Sequence, residues 1–309
     1  MSGDRSWSTS GIDDEALSAL AEELPASEVW TLLLEIVDRR AARRAPRDLR
    51  AQWAHDRFTE PAGVDPRRML AIDRVLFEAA TSFEALELSP LAPLGVCSRM
   101  APTSQRRVVS ALRGTEVVAD PTNVLALECA RRLKDAPAQV VRLAASHRAV
   151  RAQPAPKGPG YAQHFRLFCL ATAGRERVDH GFVVEHLVQH IQTHLAALDL
   201  LEPQGYAFTD RKIRVLATQE RAGAADRIAA HYTGITVVRD VLEHPYYDGL
   251  RFTITARPPD GGEPHPLIDG GAFNWLGTLT SNHRLAYVAS GMGSQMVAVR
   301  YRTSEEWRQ

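Results

Sequence analysis

Val141–Leu170, VRLAASHRAVRAQPAPKGPGYAQHFRLFCL, decides how the rest of the chain is read. An arginine-bearing strand enters it, a Pro/Gly loop with Lys157 and Tyr161 reverses it, and the apolar run Phe165–Leu170 leaves antiparallel. Such a hairpin can hold an anion between its strands and its loop. Arg148 and Arg151 are three residues apart, so on a strand they point to opposite faces and only one lines a pocket shared with the loop. Arg148 is taken as that one. Its guanidinium matches a phosphate or carboxylate with two parallel hydrogen bonds, whereas Lys157 on the loop is a point charge. The competing reading of the same residues is a solvated hairpin whose cations only keep it soluble.

The 309 residues are 45% hydrophobic and balance 37 Lys and Arg against 37 Asp and Glu. That composition suits a soluble globular protein with one large core or two smaller ones. Zero net charge gives no global attraction to nucleic acid or membrane, so any polyanion site is local. Cys97, Cys129 and Cys169 are odd in number and far apart, which argues against a disulfide framework or a zinc ribbon and fits a reducing cytoplasm. The N-terminal MSGDRSWSTSGIDDEA lacks a positive segment followed by an apolar core, so secretion is not expected, and no apolar run is long enough to span a bilayer. The expected location is cytoplasmic.

Residues 1–12 are Ser/Gly-rich and read as disordered. A helix is expected over Asp13–Leu24, and Ser27 as N-cap opens another with Trp30, Leu33, Leu34 and Val37 on one face. A third helix over Asp48–Phe58 completes a helical extension, and Pro61–Pro66 reads as a linker into a second unit, 66–309. Arg39, Arg40, Arg43, Arg44, Arg47 and Arg50 form the densest basic cluster. A solvated helix end is favoured for it over contact with RNA.

From Pro66 the pattern alternates. A helix Arg68–Ala80, with Met69, Ile72, Leu76 and Phe77 inward, precedes a strand Phe83–Leu88 stopped by Pro90. A strand Thr115–Ala119 leads through Asp120 or Thr122 as cap into a helix Asn123–Leu133. After the hairpin comes a helix Phe182–Leu200, where His186, His190 and His194 recur at every fourth position. No carboxylate or cysteine completes a metal set there, so packing beside the apolar stripe is favoured over metal binding. A small α/β insertion occupies about 205–240, with strands Ile213–Ala217 and Ile235–Val238 around a helix Ala222–Tyr232. Tyr246-Tyr247 precedes a strand Leu250–Ala256, Asp269-Gly270-Gly271 reads as a sharp turn, and a strand Leu285–Ala289 runs into Ser290-Gly291-Met292-Gly293.

In this order the pieces over Pro66–Val299 resemble the catalytic core of class II aminoacyl-tRNA synthetases, most closely that of histidyl-tRNA synthetase and its paralogues. FEALELSP resembles motif 1, the dimer-forming segment, and SHRAVRAQPAPKGPGYAQHF resembles motif 2. HPYYDGLRFTI is similar to the tyrosine-pair strand beside the histidine pocket, IDGGAFNWL to the Gly-Gly-Arg-Tyr-Asp turn, and YVASGMGSQMV to motif 3. The resemblance implies an α+β fold, a mostly antiparallel sheet flanked by helices, and homodimerisation. It also implies an ATP and magnesium site, with Arg148 holding the α-phosphate and Lys157, Tyr161, Gln163, His164 and Arg166 around the nucleotide. Thr122, Tyr246, Tyr247, Gly270 and Gly271 would line the substrate pocket, and Asp269 and Glu220 are the candidate metal ligands.

The departures bear on function. Ser294 stands where motif 3 carries an arginine, Val150 where motif 2 carries a glutamate, and Thr122 where a glutamate holds the substrate amino group. Leu242 replaces an arginine and Ala272-Phe273 replace Arg-Tyr. Losing several fixed donors costs orders of magnitude in rate. The sequence ends soon after motif 3, and no anticodon-binding domain is expected. Two functions follow. The first is a paralogue that does not aminoacylate tRNA and serves as a dimeric ligand-sensing or partner-binding regulatory protein, with residues 1–60 as a partner-specific surface. The second is an ATP-dependent ligase that adenylates a carboxylate other than histidine and passes it to a small molecule, carrier protein or RNA.

Overall fold

The computed structural model describes residues 13–154, 158–243 and 246–303. The disordered start expected over residues 1–12, like Lys157, lies outside them. In chain order the helices are α1 (Asp14–Ser18), α2 (Ala26–Ala42), α3 (Pro46–His55), α4 (Pro66–Ala79), α5 (Val96–Met100), α6 (Pro121–Asp135), α7 (Gly181–Leu201), α8 (Ala222–Ala229), α9 (Trp275–Thr280) and α10 (Ser294–Arg300). The strands are β1 (Glu84–Ala85), β2 (Leu91–Pro93), β3 (Ser110–Ala111), β4 (Thr115–Val117), β5 (Val141–Val150), β6 (His164–Arg175), β7 (Thr209–Ala217), β8 (Thr236–Val241), β9 (Leu250–Arg257), β10 (His265–Phe273) and β11 (Leu285–Met292).

Among the described residues, eight strands form one sheet in the order β1-β5-β6-β11-β10-β9-β7-β8, and β2-β4-β3 form a small second sheet. Only the edge pairs β1·β5 and β7·β8 are parallel in the large sheet. The unit read as an α/β insertion continues the main sheet, since β7 pairs with β9 and carries β8 outside it.

Strand alternation gives the sheet two buried faces, as a sheet covered on both sides requires. Ala144, Phe168, Leu170, Val288 and Ile268 pack beneath α4 and α7 with Ile72, Leu76, Leu187 and Ile191. Leu143, Ala145, Cys169, Ala171, Ala289 and Phe273 face the other way, against Leu125, Cys129 and Leu133 of α6 and Trp275 and Leu276 of α9. Caps fix where the helices start. Asp65 accepts from the Arg67 N–H at the head of α4, and Asp120 accepts from the Thr122 N–H at the head of α6, each with proline in the first turn.

Three expectations are corrected. The α2 helix starts directly after Pro25, with Ser27 already inside its first turn, because a proline fits the turn that has no N–H partners to lose. Asp269-Gly270-Gly271 is the middle of β10, paired on both sides, and not a turn. The glycines are there because a Cβ would collide. At Gly270 it would lie 2.4 Å from the Ser290 Cβ, and at Gly271 it would lie 2.4 Å from the Leu250 carbonyl and 2.5 Å from the Tyr247 ring. The strand expected over Phe83–Leu88 shrinks to Glu84–Ala85, ending after two residues of pairing with β5.

Candidate functional site

On the α6 side of the sheet is a cavity of about 560 Å³. Phe165, Leu167 and Cys169 of β6, Ala289 and Gly291 of β11, and Asp269 and Phe273 of β10 form its floor. Its walls are Tyr246 and Tyr247, the Asp120 and Thr122 start of α6, and Arg107 and Cys97 from around the small sheet; Arg151, Gln153, Tyr161 and Gln163 overhang it.

Register decides which arginine enters. Arg148 pairs opposite Arg166, and residues 145, 147 and 149 share the cavity face, so Arg151 and not Arg148 continues toward it. Arg148 does not line the cavity. It is half-buried, donating at 3.1 Å to the Oε1 of Gln295, which itself borders the cavity, and lying 3.1 Å from the His164 Nδ1. His164 itself points away, with its Nε2 2.7 Å from the Glu60 carbonyl. Arg166 borders the cavity, but its charge is taken: its Nε donates to the Ser146 Oγ at 2.9 Å and lies 3.1 Å from the Asp73 carboxylate.

Arg151 is tethered without being consumed. Its Nε donates to the Ala119 carbonyl at 3.0 Å, its guanidinium carbon lies 5.1 Å from the Phe165 ring centre, and Asp120 is 3.9 Å away. Asp120 also accepts from the Thr122 hydroxyl at 2.7 Å and from the Tyr246 hydroxyl at 3.3 Å. Thr122 is therefore locked into a cap, and its carbonyl accepts from the buried Tyr287 hydroxyl at 2.7 Å. Gln163, 9% exposed, carries a side-chain oxygen with no partner at the cavity wall.

The opposite end is aromatic. Phe273 stacks on Trp275 at 4.0 Å between ring centres and meets Tyr247 at 5.1 Å and Tyr246 at 5.6 Å. Burial holds both tyrosine hydroxyls protonated, pushing their pKa values well up, and it raises the Cys97 thiol to about 12. Neither tyrosinate nor thiolate chemistry is available there at neutral pH.

The residues facing the cavity do not fit a magnesium triphosphate. Both oxygens of Asp269 are engaged by Arg251, at 3.0 and 2.8 Å, leaving a neutralised carboxylate. Glu220 sits in the turn before α8 and does not line the cavity. Among the described residues no group of three or more His, Cys, Asp or Glu is arranged to hold a metal. Ser294 is fully buried and Met296 packs against the hairpin loop at Gly160. Of the other expected residues, Tyr161, Gln163, Thr122, Tyr246, Tyr247, Gly270 and Asp269 do meet at the cavity, whereas Gly271 lies behind Tyr247.

Sequence reasoning missed Arg107, Asp120, Gln153, Phe165 and the choice of Arg151. The odd-numbered apolar set Leu143, Ala145 and Ala149 against Phe165, Leu167 and Cys169 was the available signal for the last of these.

Among the described residues the three histidines of α7 join no metal-holding cluster, and each makes protein hydrogen bonds. The His190 ring lies 2.9 Å from both the Thr172 and the Ser290 hydroxyls, and the His194 Nε2 lies 2.8 Å from the same Ser290 oxygen. They form a buried polar seam between α7 and the sheet.

No protein-family model matches the sequence, and no curated protein matches it. Solved structures do. An ATP phosphoribosyltransferase regulatory subunit/histidyl-tRNA synthetase from Bacillus halodurans C is 13% identical over 78% of this chain and 82% of its own, with a TM-score of 0.59. Histidyl-tRNA synthetase from S. aureus is 16% identical over 78% of this chain and 68% of its own, with a TM-score of 0.56. A histidine–tRNA ligase subunit from Alicyclobacillus acidocaldarius is 12% identical over 77% of this chain and 94% of its own, with a TM-score of 0.58. The order of strands, the two-faced sheet and these likenesses agree: the chain has the catalytic-core fold of class II aminoacyl-tRNA synthetases, in the form found in histidyl-tRNA synthetases and the ATP phosphoribosyltransferase regulatory subunit.

Proposed function

We propose that the chain is a histidyl-tRNA synthetase-like paralogue that does not aminoacylate tRNA and acts as a dimeric, ligand-sensing regulatory protein. The observation that carries this reading is the chemistry of the cavity. Where adenylate formation needs several free cations and a metal-holding carboxylate, Arg148 is bound to Gln295, Arg166 to Asp73, and Asp269 to Arg251. What remains is Arg151 and Arg107 at one end and a ring-lined wall of Tyr246, Tyr247 and Phe273 at the other. A small molecule with an apolar or aromatic body and one anionic group suits that division.

The likeness to a solved structure whose name includes a regulatory subunit supports a regulatory role by fold alone. Homodimerisation through the motif 1 segment belongs to the same proposal. ATP–pyrophosphate exchange with histidine and the other standard amino acids tests the reading. Exchange indistinguishable from the blank is the expected result; exchange with any one amino acid would overturn it in favour of an ATP-dependent ligase.

A further inference from the structure

Pairing in the β5–β6 hairpin continues one step beyond its last ladder residues, Val150 and His164. The Arg151 N–H donates to the Gln163 carbonyl at 2.8 Å, so these two residues sit directly opposite each other. Their side chains leave the same face, the one toward the cavity, from Cβ atoms about 5 Å apart. Phe165, two residues on from Gln163, shares that face and carries the Arg151 guanidinium over its ring at 5.1 Å. An anion held by Arg151 is thus within a few bonds' reach of the Gln163 amide. Gln163 is 9% exposed, lines the cavity, and has a side-chain oxygen with no partner. Folded proteins rarely leave a buried acceptor empty, and the place of this one on the wall lets a bound molecule supply the missing donor.

The charge of that donor follows from the acids around it. Among the described residues that line the cavity, the acidic ones are Asp120 and Asp269. Asp120 is engaged by the Thr122 N–H and hydroxyl, by the Tyr246 hydroxyl and by Arg151, and Asp269 is engaged by Arg251. Neither is left to balance an ammonium taken out of water, so the donor is neutral. The same count sets the charge of the anionic group. With Arg166 bound to Asp73 and Asp269 to Arg251, Arg107 and Arg151 less Asp120 leave a single net positive charge, which matches a carboxylate better than a doubly charged phosphate.

We infer that the cavity takes an aromatic α-hydroxy acid. Arg151 holds the carboxylate, the Gln163 Oε1 accepts the hydroxyl hydrogen beside it, and Tyr246, Tyr247 and Phe273 face the ring. Gln163 is then the residue that selects against the α-amino acid of the same body. The inference rests on the ligand-sensing reading of the cavity and narrows it to one chemical class.

Calorimetric titration of the full chain tests it with phenylpropanoate, its α-hydroxy form and its α-amino form, and with the same set on an indole body. The α-hydroxy acid is expected to bind at least about tenfold more tightly than either companion on the body that fits. Gln163→Leu is expected to bring it down to the level of the unsubstituted acid. Gln163→Glu, which supplies a carboxylate, is expected to raise the α-amino acid above the α-hydroxy acid. Circular dichroism reports whether each variant folds, and the glutamate variant, closest in shape to the native residue, carries the test should the leucine variant fail. Equal binding of the acids by the unaltered chain, or tighter binding of the α-amino acid, would overturn the inference and leave the ligand-sensing reading standing. So would an α-hydroxy preference that survives both substitutions. Binding of none of the acids at millimolar concentration would overturn the inference together with the aromatic-anion reading on which it rests.

Discussion

The Arg151 guanidinium carbon stands 5.1 Å from the centre of the Phe165 ring, with its Nε anchored to the Ala119 carbonyl. It lines the cavity, whereas Arg148, three residues earlier, does not and bonds to Gln295. The two should separate by experiment. Arg148→Ala leaves the Gln295 Oε1 without that donor in a half-buried setting and is expected to cost about 1–3 kcal/mol, read as a lowered urea midpoint. Arg151→Ala, whose ion pair with Asp120 is loose at 3.9 Å, is expected to cost about 1 kcal/mol or less while abolishing the binding of any anionic cavity ligand.

Gly271 is held to glycine by two neighbours at once. A Cβ there meets a fixed backbone carbonyl as well as the Tyr247 ring, so movement of the ring alone does not make room. Gly271→Ala is expected to destabilise by more than about 2 kcal/mol and to displace the tyrosine pair, seen as a changed near-ultraviolet spectrum. Gly223→Ala, where a Cβ meets nothing within 4 Å, is the neutral comparison.

The histidine seam predicts acid sensitivity. Burial lowers the His194 pKa to about 3 and that of His190 well below its ordinary value, with the neighbouring histidines adding to the effect at His190. The unfolded chain then takes up protons near pH 6.5 that the folded chain refuses, so stability is flat above about pH 7 and falls as the pH drops from there toward 3. The slope is up to about 1.4 kcal/mol per pH unit for each histidine. Urea unfolding at pH 7.5, 6.5 and 5.5 measures it, and His190→Gln/His194→Gln is expected to be less stable at pH 7.5 with a shallower decline.

Much of this fold was written in patterns of local origin. The hairpin, the stripe of α7 and the Asp120-Pro121 cap are short-range signals, and the structure has each where the periodicity put it. Strands β2 and β3, of three and two residues, are too short to show a period, and α9 is a single turn and a half whose tryptophan fills the core between sheet and α6. Gly270-Gly271 misled because a glycine pair marks either a turn or a backbone crowded by partners, and only the position of Tyr247 distinguishes the two. The pairing of Asp269 with Arg251 and of Arg166 with Asp73 was hidden for the same reason, since both join residues brought together by the sheet and its covering helix.

Calorimetric titration with ATP and magnesium, on the full chain and on Arg151→Ala, tests the central claim most directly. No heat of binding up to millimolar ATP is predicted, because Arg148, Arg166 and Asp269 are already engaged by the protein itself and Arg151 and Arg107 are left without a metal-holding carboxylate. Micromolar, magnesium-dependent binding that disappears in Arg151→Ala would contradict the regulatory reading and show that the nucleotide site still works.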